Sequence, residues 1–463
     1  MGVALQLREL PRALKHGPAT PSSAVPMVSL SQVLSALSHA LDLTEGQPLG
    51  HTIRACVIGM RIAESLGLSA EDRSALYYAL LLKDTGCSSN ATRMAAIFGS
   101  DDRFVKQRMR VADWHAKVKL AITTAGTVGQ DKSLLERARH FFAVARAEKL
   151  TSELIGLRCE RGATIAQRLG FPRASADAIR SLDEHWCGLG HAQGLSGEAI
   201  PLLARICSIA QTIEVFHAAY GVDEAMRIVK RRSGTWFDPA LVKVVTSWKG
   251  DVTWWRGLKT EQVNELVLAL EPADQMAMAD EDRLDDVALA FADIIDAKSP
   301  YTYNHSVRVA AGARFISQQL GMDADAQRRV HRTGLVHDIG KLGVSSQILN
   351  KPGALTAAER AEVEEHPRFS YSILSRVAAF RPFAWTASVH HERLDGSGYP
   401  WRLPAEQLTD AARLLAVADV YDALVSDRPY RAGLQHDTAI DILWNEAGTR
   451  LWPDAIRAIA EWN

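Results

Sequence analysis

The feature that most constrains this chain is an internal duplication. Two short segments of the first half recur in the second half at a constant offset of 254 residues: 50–54 (GHTIR) against 304–308 (NHSVR), and 82–86 (LKDTG) against 336–340 (VHDIG). Two others recur at a constant offset of 208 residues: 188–190 (GLG) against 396–398 (GSG), and 204–211 against 412–419. Because each offset is shared by two pairs, the pattern predicts two copies of one fold, with about 46 extra residues in the first copy between Cys87 and Ser181.

Helical periodicity dominates both copies, and alternating strand-like runs are almost absent. Clear helical segments are 284–296, 307–320 and 411–426. Thr356 and Glu359 have the spacing of a capping box, which predicts a helix start. The acidic, pattern-breaking stretch 271–283 is predicted to be a linker. The chain is therefore predicted to be all-α, with a flexible tail at 1–28, a first helical bundle at 29–270 and a second at 284–463.

Composition excludes several classes of partner. Lys and Arg (53) nearly cancel Asp and Glu (54), so no global basic field exists to collect nucleic acid and no DNA partner is expected. We find no apolar stretch near the eighteen or so residues needed to span a bilayer, so no membrane association is expected. The five cysteines are irregularly spaced without a CxxC pair. They are predicted to be buried, reduced thiols, which indicates a cytoplasmic protein.

Residues with metal-ligand chemistry are concentrated in the second copy. They are His305, His337, Asp338, His366, His390, His391 and Asp419. Helical bundles build metal sites from such side chains projecting inward from facing helices. Imidazole and carboxylate without thiolate suit Fe, Mn or Zn. A single His-Asp dipeptide arises easily by chance, but seven such ligands fit a pair of ions with one shared carboxylate. His331 and His436 are left over and are expected at solvated positions.

Two motifs carry a family resemblance. The segment 337–341 (HDIGK), together with 390–400 (HHERLDGSGYP), resembles the HD-GYP branch of the HD phosphohydrolase superfamily. The resemblance runs from about 284 to 431 and includes 348–353 (ILNKPG) and 426–431 (SDRPYR). Members of that branch hydrolyse cyclic dimeric GMP in bacteria, to the linear dinucleotide or onward to GMP. The resemblance implies a phosphodiesterase with two divalent ions, Fe or Mn with Zn as the alternative, and a cyclic dinucleotide as its substrate partner.

The resemblance also implies roles for single residues. The seven His and Asp residues would be the metal ligands, with Asp338 shared between the two ions. Lys341, one helical turn after His337, would lie on the same face and contact a substrate phosphate, so Asp338 and Lys341 are the predicted catalytic residues. The remaining predicted substrate contacts are Gly398, Tyr399, Pro400, Arg428 and Arg431. Three-metal members carry a Glu four residues before the first ligand His. Tyr301 stands there in this chain, which implies a binuclear site.

The first copy has lost most of these groups. His51 and Asp84 remain, but Lys83 replaces the His of the dipeptide. Leu182-Asp183 and Gln211 stand at the positions of His390-His391 and Asp419, and His191-Ala192 replaces Tyr399-Pro400. A protonated lysine cannot ligate a cation, so no chemistry is expected here. Two interpretations stay open: a scaffold that packs on the active copy or on a second chain, or a regulatory pocket that binds a nucleotide or another anion without cutting it.

Three functions remain compatible with the sequence. The leading one is a metal-dependent cyclic di-GMP phosphodiesterase in bacterial signalling. The second is an HD phosphohydrolase acting on another nucleotide, against which the intact Gly-Tyr-Pro loop speaks. The third is a non-catalytic sensor that binds the cyclic dinucleotide and reports to a homodimer partner or signalling protein through the N-terminal copy.

Overall fold

The computed structural model describes residues 28–114, 116–130, 132–146, 148–191, 193–260, 262–272, 278–427 and 431–462, and the structural statements below concern these residues. The predicted flexible tail lies outside them except for Val28. So do residues 273–277 of the predicted linker.

The prediction of an all-α chain is confirmed, since the only strands in the described residues are the paired segments Val28–Ser29 and Met278–Ala279. The helices of the first half are Leu30–Thr44, His51–Ser65, Ala70–Leu82, Ala91–Phe98, Asp102–Val111, Lys117–Ala125, Leu134–Arg146, Glu148–Arg168, Arg173–Arg180, Leu202–Tyr220, Val222–Arg231, Pro239–Ser247, Val252–Gly257 and Val263–Ala269. Those of the second half are Glu281–Asp296, His305–Gln319, Ala324–Val336, Ser346–Leu349, Ala357–Glu364, His366–Leu374, Arg381–Ser388, Asp410–Val425, His436–Asn445 and Pro453–Ile459. Short 3-10 segments are Cys87–Asn90, Gly197–Ala199, Pro300–Thr302, Ile339–Gly343 and Ala405–Gln407.

The chain forms two compact units. One consists of Ser29–Ala279 with Ser345–Gln347, and the other of Asp280–Val344 with Ile348–Asn463. The second unit begins inside the stretch predicted as a linker. Asp280 caps the helix Glu281–Asp296 by accepting the Arg283 N–H at 2.8 Å. The acidic run therefore begins a helix, where negative charge interacts favourably with the helix dipole.

Local sequence signals fix the starts of several helices in the second unit. Thr356 and Glu359 form the predicted capping box, with both reciprocal hydrogen bonds present. Thr409 caps the helix Asp410–Val425 by accepting the Ala412 N–H at 3.2 Å. The helices then share a core that includes Ile316, Leu415, Leu443 and Ile456. Each such buried aliphatic side chain stabilises the fold by roughly 1.5–3 kcal/mol.

One apolar helix corrects the sequence-based expectation about membranes. Leu202–Tyr220 is long and apolar enough, by length and composition, to cross a bilayer. In the folded chain, 67% of its apolar window is buried. A helix that is apolar on all sides is also typical of the core of a large domain, and here it packs in the core of the first unit.

The duplication extends to individual side-chain contacts. In the first unit, Asp42 accepts hydrogen bonds from the N–H and the hydroxyl of Thr52, at 3.0 and 2.7 Å. In the second unit, Asp296 accepts the equivalent bonds from Ser306, at 3.1 and 2.7 Å. Both pairs keep the offset of 254 residues. Asp42 and Asp296 lie outside the recurring sequence motifs, so these contacts extend the correspondence beyond the motifs and support two copies of one fold.

A second pair of contacts places the extra residues of the first copy. A Cβ added to Gly86 would lie 1.9 Å from the carbonyl oxygen of Arg158, and one added to Gly340 would lie 1.9 Å from that of His366. Arg158 therefore occupies the position of His366, at the offset of 208. The insertion lies between Gly86 and Arg158, which narrows the range predicted from sequence.

Candidate metal centre

Three of the candidate histidines follow directly after helices. His337, His366 and His390 lie three residues beyond Gly334, Val363 and Ala387, which are in the last turns of their helices. The carbonyl groups of a last turn have no partner within the helix. They accept the Nδ1–H of the three rings, at 2.7, 2.6 and 2.6 Å respectively. Each Nε2 is consequently left with a free lone pair, because a neutral imidazole carries only one N–H.

The fourth ring, His305, is oriented by a carboxylate. It is the first residue of the helix His305–Gln319, and its Nδ1 lies 2.6 Å from an oxygen of Asp422. Asp419 lies on the same helix as Asp422 and one turn before it. An outer carboxylate that fixes the tautomer and raises the basicity of an imidazole is typical of metal-binding histidines.

Asp338 lies at the centre of the cluster and divides it into two groups. Its Oδ1 lies 3.2 Å from His366 Nε2 and 3.6 Å from His390 Nε2. Its Oδ2 lies 3.5 Å from His305 Nε2 and 3.4 Å from His337 Nε2. The seven predicted ligands accordingly separate into Asp338, His366, His390 and His391 on one side, and His305, His337 and Asp419 on the other, each set within 4.8 Å.

Asp419 belongs to the second group and also lies near His391 of the first group. Its Oδ1 lies 3.4 Å from His305 Nε2 and 3.8 Å from His337 Nε2. Its Oδ2 lies 3.7 Å from Nδ1 of His391. Two ligands bound to one ion at about 2.1 Å each lie about 3.0–3.4 Å apart. The shortest separations in the cluster, at 3.2, 3.4 and 3.4 Å, are those of ligands around a shared cation.

The donor atoms of this cluster fit divalent cations. The Nε2 of His337 and the Oδ1 of Asp338 are buried and have no hydrogen-bond partner. The Nε2 atoms of His366 and His390 face each other at 3.5 Å. Both carry lone pairs, because their Nδ1–H groups donate to carbonyl oxygens. Facing lone pairs repel unless a cation or a proton lies between them, and buried polar atoms without partners are costly.

The protonation states agree with metal binding. Burial lowers the pKa of His390 to about 4 and lowers the pKa values of His366 and His391 from their usual range, so these rings are neutral at neutral pH. For His305, burial opposes the charge, but hydrogen bonds with Asp338, Asp419 and Asp422 outweigh it and raise the pKa well above its usual value. A cation that binds His305 must therefore displace a proton.

Lys341 lies beside the cluster, but not for the predicted reason. The helix Ala324–Val336 ends before His337, and Lys341 lies in the 3-10 segment Ile339–Gly343. Its ammonium group forms an ion pair with Oδ2 of Asp338. The tight turn depends on Gly340, which packs directly on the backbone of His366.

The Gly-Tyr-Pro loop is positioned by a residue that sequence reasoning missed. The buried carboxylate of Glu392 accepts the backbone N–H groups of Trp401, Arg402 and Leu403, at 2.8, 3.2 and 2.9 Å. Gly398 packs on Glu392 so closely that an added Cβ would lie 2.4 Å from its Cα. The ring of Tyr399 stacks on His391 with centroids 4.6 Å apart. The loop therefore forms one wall of the cluster.

Two of the remaining predicted substrate contacts, Pro400 and Arg431, form hydrogen bonds with other residues of the second unit. The carbonyl of Pro400 accepts a hydrogen bond from Arg368 at 2.6 Å. Arg431 donates to the carbonyl oxygens of Leu424 and Ala423, at 2.9 and 2.5 Å, and so caps the end of the helix Asp410–Val425. Arg428 lies outside the described residues. The roles of these residues in substrate binding stay predictions.

The remaining histidines of the second copy are not solvated as expected. His331 and His436 are both half-buried. Both ring nitrogens of His436 have partners, the hydroxyl of Tyr421 at 2.8 Å and the carbonyl of Ala460 at 3.2 Å. Neither belongs to the cluster.

Asp422 is the second residue that sequence reasoning missed. Its spacing of three residues from Asp419 places both on one helix face, which was the available signal. We predict that Asp422→Asn weakens metal binding by about 10- to 100-fold, because His305 loses the carboxylate that orients it. Metal content at limiting Mn(II) measures this loss, and excess Mn(II) should restore full occupancy. Glu214→Gln is the matched control, since Glu214 contacts His51 in the first copy; equal metal loss in both variants would contradict the prediction.

In the first copy, cationic side chains occupy the equivalent centre. Lys83 forms an ion pair with Asp84, and its Nζ lies 3.2 Å from Nε2 of His51. The guanidinium of Arg110 lies 2.8 Å from the same Nε2 and 3.0 Å from Oδ1 of Asp84. Glu45, Asp84 and Cys87 lie within 4.8 Å of one another, but Lys106 and Arg110 are ion-paired with these carboxylates. Fixed positive charge would repel a metal ion here.

The free thiols also differ slightly from the expectation. Cys56, Cys87, Cys159 and Cys207 are buried and unpaired, as predicted, but Cys187 is exposed.

Comparisons with known proteins agree with this description. A family model described as an HD domain matches residues 139–241 and 290–455, one match in each copy. A 3'3'-cGAMP-specific phosphodiesterase of Vibrio cholerae is 40% identical over 93% of this chain and 94% of its own length. A cyclic di-GMP phosphodiesterase of Pseudomonas aeruginosa is 42% identical, over 35% of this chain and 36% of its own length.

A solved structure gives the same result. The crystal structure of a cyclic GMP-AMP specific phosphodiesterase of V. cholerae, V-cGAP3, matches 94% of this chain and 97% of its own with 36% identity and a TM-score of 0.65. The chain therefore belongs to the HD-domain family, in its HD-GYP branch, with a degenerate HD-type copy in the N-terminal half.

Proposed function

We propose that the C-terminal unit is a phosphodiesterase that uses two divalent metal ions to hydrolyse a cyclic dinucleotide. The carrying observation is that Asp338 lies between two groups formed by the other six ligands, with one carboxylate oxygen facing His366 and His390 and the other facing His305 and His337. Such a shared carboxylate suits two ions bound side by side. When bound, a pair of divalent ions supplies Lewis-acid activation of both the attacking water and the phosphodiester.

The chain's own residues prepare the site for this reaction. The carbonyl-anchored rings and Asp422 hold the donor atoms in place before any ion arrives, so little reorganisation is needed. The ammonium of Lys341 is placed to offset negative charge that builds up on the phosphate. Tyr399 and the loop around it limit access of bulk water on the side of His391. Hydrolysis adds water to one phosphodiester: a new P–O bond forms, one ester P–O bond breaks, and the released ribose oxygen takes up a proton. The proposed first product is the linear dinucleotide.

The choice of substrate rests on the relatives. Cyclic di-GMP was expected from the sequence motifs, and relatives with that activity match only about a third to two-fifths of this chain. The relative that matches almost the whole chain is specific for 3'3'-cGAMP. We therefore propose 3'3'-cGAMP as the preferred substrate, with cyclic di-GMP as the second candidate. The proposed setting is second-messenger signalling in the bacterial cytoplasm.

The test compares both substrates on the full chain. Protein reconstituted with Mn(II) or Fe(II) under reducing conditions would receive equal amounts of 3'3'-cGAMP and cyclic di-GMP, separately and in competition. Chromatography would follow substrates and products, and metal analysis would count bound ions. We expect two ions per chain and a kcat/KM for 3'3'-cGAMP at least about tenfold higher, a difference of about 1.4 kcal/mol.

Each other outcome has a defined meaning. A preference for cyclic di-GMP would overturn the substrate proposal and support the substrate that the sequence motifs predicted. No turnover of either substrate with two ions bound would overturn the enzymatic proposal. Tight binding in that case would favour the sensor, and turnover of a different nucleotide would favour the broader HD phosphohydrolase alternative.

A further inference from the structure

The N-terminal unit retains a cavity where the other copy has its metal centre. The cavity has a volume of about 130 Å³. Its lining includes Arg158, Asp183 and Gln211, which occupy the positions of His366, His391 and Asp419 at the offset of 208. We infer that this cavity binds a phosphorylated nucleotide and does not hydrolyse it.

The ion pairs in the cavity explain why it is not expected to hydrolyse a nucleotide. Arg158 is paired with Asp183, and Arg110 with both Glu45 and Asp84. Two guanidinium groups therefore replace the metal ions with fixed positive charge. They cannot polarise a water molecule as a divalent ion does. They do keep the ability to recognise a phosphate, since the planar guanidinium matches phosphate geometry with two parallel hydrogen bonds.

The balance of charge favours an anion. Among the side chains that line the cavity, Lys106, Arg110 and Arg158 carry three positive charges and Glu45 and Asp183 carry two negative charges, so one positive charge is in excess. Glu45 and Asp183 also line the cavity and would repel an anion placed directly against them. A phosphate is therefore expected on the guanidinium edges that these carboxylates leave uncovered.

One wall of the cavity comes from the segment between Gly86 and Arg158, which includes the insertion of the first copy. Asn90, Met94, Arg110 and Trp114 all line the cavity and all lie between Gly86 and Arg158. Trp114 is half-buried and packs on His191, with ring centroids 4.9 Å apart. Aromatic and thioether side chains are suited to a nucleobase, since base–aromatic stacking contributes about 1–3 kcal/mol per base. This segment thus brings a guanidinium and an aromatic ring to one cavity.

An independent observation also points to a ligand. Asn90 is 4% exposed, and its Oδ1 has no hydrogen-bond partner. It stands at the N-terminal boundary of the helix Ala91–Phe98, yet its side chain does not cap that helix. A buried amide oxygen without a partner is rare and costly. The exocyclic amine of a base would supply the missing donor.

The size of the cavity limits what it can enclose. An engineered cavity of about 150 Å³ accommodates benzene, so this cavity has room for about one ring system. A nucleoside monophosphate, or one half of a cyclic dinucleotide, combines one base with one phosphate; it is larger than the enclosed volume, so part of the bound ligand would lie outside it. The two sources share this chemistry, and the experiment separates them.

The test measures binding to the metal-stripped full chain. Stripping with EDTA removes metal from the C-terminal centre, whereas the N-terminal cavity uses no metal. Calorimetry would be run with AMP, GMP, 3'3'-cGAMP and inorganic phosphate as separate probes. We expect one nucleotide per chain, recovered intact by chromatography, and at least tenfold weaker binding of inorganic phosphate. Whichever probe binds more tightly, a nucleoside monophosphate or 3'3'-cGAMP, identifies the source of the ligand.

Two substitutions locate the site. Asn90→Asp keeps the shape of the side chain but directs a negative charge at the anion, and it should weaken binding at least tenfold. Gln107→Glu is the matched control, because it adds the same charge at an exposed position of the helix that carries Arg110. Gln211→Trp fills the cavity and serves as the second variant if Asn90→Asp fails to fold, as judged by circular dichroism.

Several results would contradict the proposal that this cavity binds a nucleotide. The proposal is overturned if none of the four probes binds, or if inorganic phosphate binds as tightly as the nucleotides. It is likewise overturned if folded Asn90→Asp or Gln211→Trp protein binds nucleotide as tightly as the unaltered chain.

Discussion

Asp338→Ala is expected to remove bound metal and to reduce turnover of the cyclic dinucleotide by at least about 1000-fold, well beyond the 10- to 100-fold typical of outer-shell substitutions. The reason is that the two oxygens of Asp338 face both groups of ligands, His366 and His390 on one side and His305 and His337 on the other. Without this carboxylate, Asp419 remains beside His305 and His337, but no carboxylate is left between the two groups of imidazole nitrogens. Metal analysis after gel filtration and product chromatography would measure the two losses.

The first copy provides the matched control. Asp84 occupies the position of Asp338, but it is paired with Lys83 and Arg110. Asp84→Ala should therefore leave the number of bound metal ions unchanged. Retention of two tightly bound ions by Asp338→Ala would show that Asp338 is not the shared ligand.

Gly340→Ala is expected to destabilise the C-terminal unit by about 3 kcal/mol or more. The added Cβ would lie 1.9 Å from the carbonyl oxygen of His366 and 2.8 Å from the N–H nitrogen of Ser370. Both are backbone atoms and cannot rotate away, so the segments carrying Asp338 and His366 must separate. Thermal unfolding of the metal-free protein would report the loss of stability, and metal titration would report weaker binding at the displaced His366.

Two other glycines serve as controls for this prediction. A Cβ on Gly353 meets nothing within 4 Å, so Gly353→Ala should change stability by no more than about 0.5 kcal/mol. Gly86→Ala repeats the clash in the first copy, 1.9 Å from the carbonyl oxygen of Arg158. It should destabilise the N-terminal unit while metal binding by the folded protein is retained. Equal stability of Gly340→Ala and Gly353→Ala would refute the close-packing explanation.

The sequence was sufficient for the fold class and the duplication. Helical spacing and caps such as Thr356 with Glu359 are local properties, and tertiary contacts seldom override several that agree. The duplication could be recognised because motifs at a constant offset keep their register however far apart the copies lie in space. The seven His and Asp residues could be grouped because few other functions require that combination of side chains.

Other features depend on distances in the folded protein, which the spacing of residues along the sequence does not encode. Lys341 was expected on the face of His337 from a continuing helix, whereas it lies beside Asp338 because of a 3-10 turn around Gly340. Glu392 was overlooked because its partners are backbone N–H groups nine to eleven residues away in a loop. The helix Leu202–Tyr220 is apolar because it is enclosed by protein, and composition alone does not distinguish this from a membrane span.

The sequence by itself determined that this protein has two copies of one helical fold and that only the second keeps a complete set of metal ligands, because residue type and register record both facts. Only the tertiary structure decided how side chains are arranged in the two centres. The separate orientation of the two oxygens of Asp338 depends on four helix ends meeting at one point. Arg110 enters the first centre from the helix Asp102–Val111, where its guanidinium contacts His51 and Asp84. Residue spacing does not encode these contacts, because they depend on how that helix packs within the unit.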